Sequence, residues 1–234
     1  HFLAESYFCI KILLLIIFSI LNACTTYKSP APIPEPVPLT GMSRAPNPHG
    51  IAVGDYVYYK ERQIEGYGAY GYVLLTSRMS EENKIRYQKV SSAFLDTLPP
   101  VSSYAEFNKS QLMVTSWPLM AHLKLQDYDA GNILAVYDYS IANIVLSIVD
   151  KSDSFGPVLV AFTVPYYEWD STKSYLILDM SLFSDSEMQN AFQIWKEKIT
   201  TNPDLWKNGL SLDVAKAIFR SLINKYGETI LKVY

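Results

Sequence analysis

The chain has 234 residues, 49% of them hydrophobic, with a net charge of −3 and a pI of 5.6. Nucleic-acid binders normally carry a basic stripe or a pI above about 9, so that class is excluded. Only two cysteines, Cys9 and Cys24, and three histidines, His1, His49 and His122, are present, so the chain beyond residue 50 has no disulfide framework, cysteine zinc site or histidine-rich metal centre, and no cofactor is expected.

From the N-terminal side, Lys11 is followed by ten residues, Ile12 to Leu21, of which only Ser19 is polar. The apolar stretch Phe8–Ala23 holds 16 residues and contains Lys11, too short for a spanning helix, which needs about 20. A basic residue, a short apolar run and a small residue before a cut point instead describe a secretory signal over residues 1–23. The run ends in Leu21-Asn22-Ala23-Cys24, which resembles the lipobox of bacterial lipoproteins, with Asn22 where a small or β-branched residue is usual. The resemblance implies a diacylglycerol thioether on Cys24, cleavage before it, and a chain held at a membrane by several acyl groups, an anchor stronger than one chain provides. Thr25, where an Asp would signal inner-membrane retention, implies the outer membrane, facing the periplasm.

Residues 24–49 form the next segment. Pro30, Pro32, Pro34, Pro36, Pro38, Pro46 and Pro48 forbid both a helix and a sheet ladder, leaving an extended, semi-rigid spacer of about 3.1 Å per residue. A globular domain is expected over 50–234.

Within that domain, Ile51–Tyr59 and Tyr70–Thr76 read as strands joined by a glycine-bearing hairpin. Ser80, followed by Glu81 and Glu82, opens a helix running to about Asp96, before Pro99-Pro100. Gln111–Trp117 is a strand. Residues 133–137 fit either a strand or part of a helix whose inner face is Ile141, Ile144, Val145, Ile148 and Val149. Two apolar strands follow, Pro157–Val164 and Ser174–Met180. Ser184 then opens a helix with Met188, Ala191, Phe192, Trp195 and Ile199 facing inward. Ser211 opens the last helix, with Val214, Ala217, Ile218 and Leu222 inward and Gly227 as its stop. This order predicts one layered α/β or α+β domain, a mixed sheet covered by about four helices.

Motifs that would name a reaction are missing. Gly66-Tyr67-Gly68-Ala69-Tyr70-Gly71 has the GxGxxG form, yet a strand follows where a dinucleotide site needs a helix. A kinase would also need DFG, and the nearest string is Asp153-Ser154-Phe155-Gly156. No GxSxG elbow exists. His122, in a segment read as buried or half-buried, is expected to be a packed, hydrogen-bonded residue. The acids Asp127, Asp129, Asp138, Asp150, Asp153, Glu168, Asp170 and Asp179 read as caps, turns and solvated surface. Their alternatives are a hydrolase pair working with or without His122, or oxygen ligands for a hard cation, although no spacing resembles a calcium loop.

Aromatic residues are more suggestive. The strand tyrosines Tyr56, Tyr58, Tyr59, Tyr67, Tyr70 and Tyr72 fit half-exposed sheet positions. Tyr166, Tyr167, Trp169 and Asp170 cluster in a loop between strands and are the candidate contact for a ligand or partner. The expected role is a non-enzymatic binding or assembly module, tethered to the membrane and contacting another envelope protein or a glycan. The alternative is an envelope hydrolase.

Overall fold

Short runs rich in Val, Ile, Leu and Tyr form the strands β1 (Ile51–Tyr58), β2 (Ala69–Leu74), β3 (Leu112–Leu119), β4 (Val158–Phe162), β5 (Tyr175–Asp179) and β6 (Lys232–Val233). They join in one sheet in the order β1-β3-β2-β4-β5-β6. β1 and β2 both pair parallel to β3, and the remaining neighbours are antiparallel. The computed structural model describes residues 50–173, 175–201, 211, 213–218, 220 and 232–233. All of these fall in one unit, Ala45–Tyr234. The expected signal segment, Cys24, the whole of the proline spacer, Leu222 and Gly227 lie outside the described residues.

Helices α1 (Lys84–Thr97), α2 (Ala130–Ala135), α3 (Tyr139–Ile148) and α4 (Asp185–Thr201) accompany the sheet, with further helical residues at 213–218 and 220. The fold is therefore the expected mixed-sheet α/β domain. No described helix is long and apolar enough to cross a membrane.

The core follows from the strand sequences. β2, β3 and β4 are buried at every position, as central strands covered on both faces must be. Pro118 is tolerated in β3 because the β2 ladder has already ended at Tyr72–Ser116, so no partner waits for an N–H there. Its carbonyl instead accepts from the Asp138 N–H at 3.1 Å.

Registers assign the two faces. Gly54, Tyr56, Thr115 and Trp117 share one face, where Phe94 of α1 lies 5.4 Å from Trp117 and the Trp195 indole of α4 donates to Thr115 Oγ1 at 3.2 Å. Gly54 leaves room for α1: a Cβ there would sit 3.3 Å from Leu98 and Phe94. Asp55, Ser116, Tyr70, Tyr72 and Phe162 share the other face.

Several local expectations are corrected. β1 and β2 do not form a hairpin: β3 lies between them, and residues 59–68 cross the sheet from the end of β1 to the start of β2. α1 begins at Lys84, not at Ser80, because the Asn83 side chain accepts from Ser80 N at 2.7 Å and donates to Ser77 Oγ and Arg78 O. That local network holds residues 81–83 in a turn, so Glu81 and Glu82 precede the helix. Residues 133–137 are neither strand nor part of the long helix. α2 ends at Ala135, Tyr137 bridges Leu119, and Asp138 starts α3 by accepting from Ser140 N and Ile141 N.

Two helical faces also differ. In α3, Ile141 and Val145 are buried, as is Val149 at its C-cap, but Ile144 is 42% exposed, and Ala142 and Leu146 take the inner positions instead. Near the C-terminal end Ala215 is buried while Ala217 is exposed. The α4 face agrees with expectation: Met188, Ala191, Phe192, Trp195 and Ile199 are all buried.

Candidate functional site

The 59–68 crossover is the feature around which candidate chemistry collects. Gln63 fixes its middle to the sheet. Gln63 Nε2 donates to Ser116 Oγ at 2.7 Å, Oε1 accepts from the Tyr72 hydroxyl at 2.6 Å, and its carbonyl accepts from the Tyr167 hydroxyl at 3.0 Å. Three segments thus meet on one residue, two at its side-chain amide and one at its backbone carbonyl. Gly66, at φ +91°, bends the chain near the end of the crossing, in a region L side chains rarely occupy.

On one side of Gln63 lies a cavity of about 190 Å³ lined by Asp55, Tyr56, Tyr58, Glu61, Arg62 and Gln63, among others. Burial raises the Asp55 carboxyl above its usual range, an effect partly offset by the Tyr56 N–H that it accepts. That bond also occupies an N–H on β1, an edge strand, as edge protection requires. Burial, with Tyr128 and Asp55 adding to it, pushes Tyr56 up to about 12, and the Tyr58 hydroxyl is raised further by burial and its 2.9 Å bond to Tyr128.

His122 stands beside this cavity, and its environment corrects the buried reading. Its side chain is 62% exposed, because the chain turns out to solvent directly after Leu119. The ring stacks on Tyr58 at 3.7 Å between centroids, and Nε2 lies 2.7 Å from Glu61 Oε1. Asp55 and Glu61 are the acids near it, and neither was singled out from the sequence.

The acids that were singled out mostly serve local structure. Asp129 caps α2 and Asp138 caps α3. Asp179 accepts from Ser154, from Ser181 N and from the Ser181 hydroxyl, with Lys151 at 3.8 Å. Asp127 lies in a short 3-10 turn, and Asp150 has φ +52° after α3. Among the described residues no group of three or more His, Cys, Asp or Glu side chains could hold a metal ion.

On the other side of Gln63 is the aromatic connection between β4 and β5. Tyr166 and Trp169 turn towards the core: Tyr166 packs edge-on against Tyr72, and Trp169 packs against Phe162 and Tyr175 while its indole donates to Lys173 O. Tyr167 is 38% exposed. Asp170 is exposed, and bonds from Thr172 and then Lys173 hold its carboxyl down to about 2. The four residues therefore do not make a flat aromatic patch; Tyr167 and Asp170 are the pair that faces solvent. Beside them a second cavity, about 210 Å³, lies between crossover residues Glu65, Gly66 and Tyr67, β2 residue Tyr70, and Thr163, Val164, Pro165 and Glu168 of the connection. Gly68 N bonds Leu112 O, and Leu112 pairs with Ile51, so this cavity lies at the end of the sheet where residue 50 enters.

No protein-family model matches the chain, and neither a curated protein nor a solved structure is significantly similar to it.

Proposed function

We propose that the chain is a lipoprotein of the bacterial envelope, acylated at Cys24 and held at the outer membrane facing the periplasm. Its domain acts as a non-enzymatic binding or assembly module towards another envelope protein or a glycan. The observation that carries the reading is the order of segments: an apolar run after Lys11, Leu21-Asn22-Ala23-Cys24, a proline spacer, then one α/β domain. A tether followed by an extended spacer is the arrangement that lifts a domain clear of lipid headgroups. Tyr167 and Asp170 supply the exposed contact of the module.

Labelled palmitate, fed to bacteria expressing the chain, tests the anchor. Label is expected in the wild type and absent from Cys24→Ser, with the variant shed from the membrane fraction. Equal labelling of both, or none of either, removes the proposal. A photo-crosslinking residue at position 167, with position 152 as an exposed control, tests the contact. Adducts confined to 167 support it, and identical patterns from both positions overturn it.

One observation favours a hydrolase as the second reading. Asp55 and Glu61 line one cavity, and His122 holds Glu61 at its rim. Purified envelope glycan, assayed for new reducing ends, decides: product that Glu61→Gln abolishes favours this reading, and no product dismisses it.

A further inference from the structure

We propose that the cleft between the 59–68 crossover and the β4–β5 connection binds an organic cation, an alkylammonium or guanidinium group. The inference deepens the binding reading of residues 163–170 and rests on it, since Glu168 forms one lip of the cleft.

Shape and chemistry agree on the ligand. The cleft holds about 210 Å³, room for a cationic head and a few carbons but not for a drug-sized molecule, whose pockets start at about 300 Å³. Tyr67 and Tyr70 are buried and stand edge-to-face at 5.9 Å, giving aromatic walls. The Tyr70 hydroxyl is already engaged, accepting from Tyr67 N at 3.1 Å and donating to Ile64 O at 3.4 Å. It therefore presents its ring and not a free donor. Glu65 and Glu168 are exposed and come to the cleft from different connections. Neither has an ion-pair partner among the described residues.

Lys173, the basic residue nearest Glu168 in sequence, pairs with Asp170 and not with the Glu168 carboxylate. Its ammonium lies 3.1 Å from the Asp170 carboxylate and donates to the Glu168 backbone carbonyl at 2.8 Å. Both free carboxylates act on the same spot, because the charges of Glu168 and Glu65 each raise the Tyr70 hydroxyl, though burial raises it more. An anion would be repelled there by the two carboxylates. A cation gains from both carboxylates, beside an aromatic wall where the chain's own Lys109 ammonium already comes within 5.8 Å of the Tyr67 ring centroid.

The test uses the full chain in detergent, titrated calorimetrically and followed by thermal melting. n-Butylammonium chloride and the peptide Gly-Lys-Gly are the probes. 1-Butanol and Gly-norleucine-Gly are their neutral counterparts, with sodium chloride matching ionic strength. Both cationic probes are expected to raise Tm with concentration, as ligands of the native state do, and the neutral ones are not. Glu65→Gln or Glu168→Gln should each weaken the apparent Kd roughly 2–5-fold, the range of exposed ion pairs, and the double variant roughly 4–25-fold. Tighter binding of the peptide would identify the source as a lysine side chain of a protein. Tighter binding of the free amine would identify a small soluble cation. Equal response to neutral and cationic probes, no response to either, or an undiminished double variant overturns the inference. The neutral comparison is made on the wild type, so it holds even if a variant misfolds. Position-167 adducts without cation binding would remove the cation and keep the contact. Cation binding without adducts would do the reverse.

Discussion

On one face of the sheet Phe94, Trp117, Trp195 and Tyr137 interlock beneath helices, whereas on the other Tyr70, Tyr72 and Ser116 meet the irregular residues 59–68 and 163–170. The helix-covered face is fastened mainly by shape. Its few polar atoms make isolated bonds between distant segments, as when the Trp117 indole donates to Ile133 O at 3.1 Å and the Trp195 indole to Thr115 Oγ1 at 3.2 Å. The connection-covered face is fastened by hydroxyls and one amide, so its geometry depends on which bonds are made. A surface of that kind can carry polar cavities beside a rigid sheet, and both cavities lie there or at its rim. Function is expected where connections meet the sheet, and stability where helices do.

The sharpest way to break that contrast is to damage each face in turn. Trp195→Ala removes a fully buried indole and its bond to Thr115, so urea unfolding should show a loss of about 3–5 kcal/mol, typical of a large aromatic truncated in a core. Butylammonium binding should persist in whatever fraction remains folded. A loss below about 1 kcal/mol would mean that the helical layer is not what holds the sheet.

Gln63→Leu should cost less in stability and more in local order. It takes partners from Ser116 Oγ and the Tyr72 hydroxyl, and a stranded buried polar group costs about 1–3 kcal/mol. The Tyr72 hydroxyl still accepts from Tyr166 N at 3.1 Å, which places the expected loss near the lower end. Amide exchange should quicken across 59–68 while α4 keeps its protection. Uniform acceleration in both would show that the two faces are one cooperative unit.

The same division decides what could be read from the sequence. The α4 face was legible because one side of that helix is apolar and the other is not, so the 3.6-residue period has a single phase. In α3 only Ser140, Asn143 and Ser147 break an otherwise apolar run, and the period alone could not tell Ile144, which is exposed, from Ala142 and Leu146, which are buried. The insertion of β3 between β1 and β2 depends on pairing across more than fifty residues, which glycines near a turn do not signal. Asp129 and Asp138 followed the ordinary capping rule, so their structural role was predictable. Gln63 was not, since a glutamine in a connection acquires meaning only from Tyr72 and from Ser116 and Tyr167, the last two far away in sequence. The aromatic connection was recognised, but which rings turn inward is set by Phe162 and Tyr175 beneath Trp169.

The smallest expected effect concerns Asp55, at the rim between the two faces, and its sign depends on pH. Burial raises this carboxyl in the folded chain above its ordinary 3.8, while the Tyr56 N–H lowers it by a lesser amount. A raised folded-state value means that the native chain holds the proton more tightly than the unfolded chain does. The contribution of this group to stability is therefore complete below pH 3.8 and is lost as pH rises through the folded value. At neutral pH the ionised carboxylate is a net burden, which Asp55→Asn removes while its amide oxygen can still accept from Tyr56. The variant should melt slightly above the wild type at pH 7, and the gap should close as the pH falls below 4. Acids whose folded values are lowered, such as Asp170 and Glu187, weaken both proteins alike in acid, so the difference between the melting curves isolates Asp55. A variant less stable than the wild type by the same amount at both pH values would show that the bond to the β1 edge outweighs desolvation. Asp55 would then belong with the edge protection of the sheet and not with the chemistry of the neighbouring cavity.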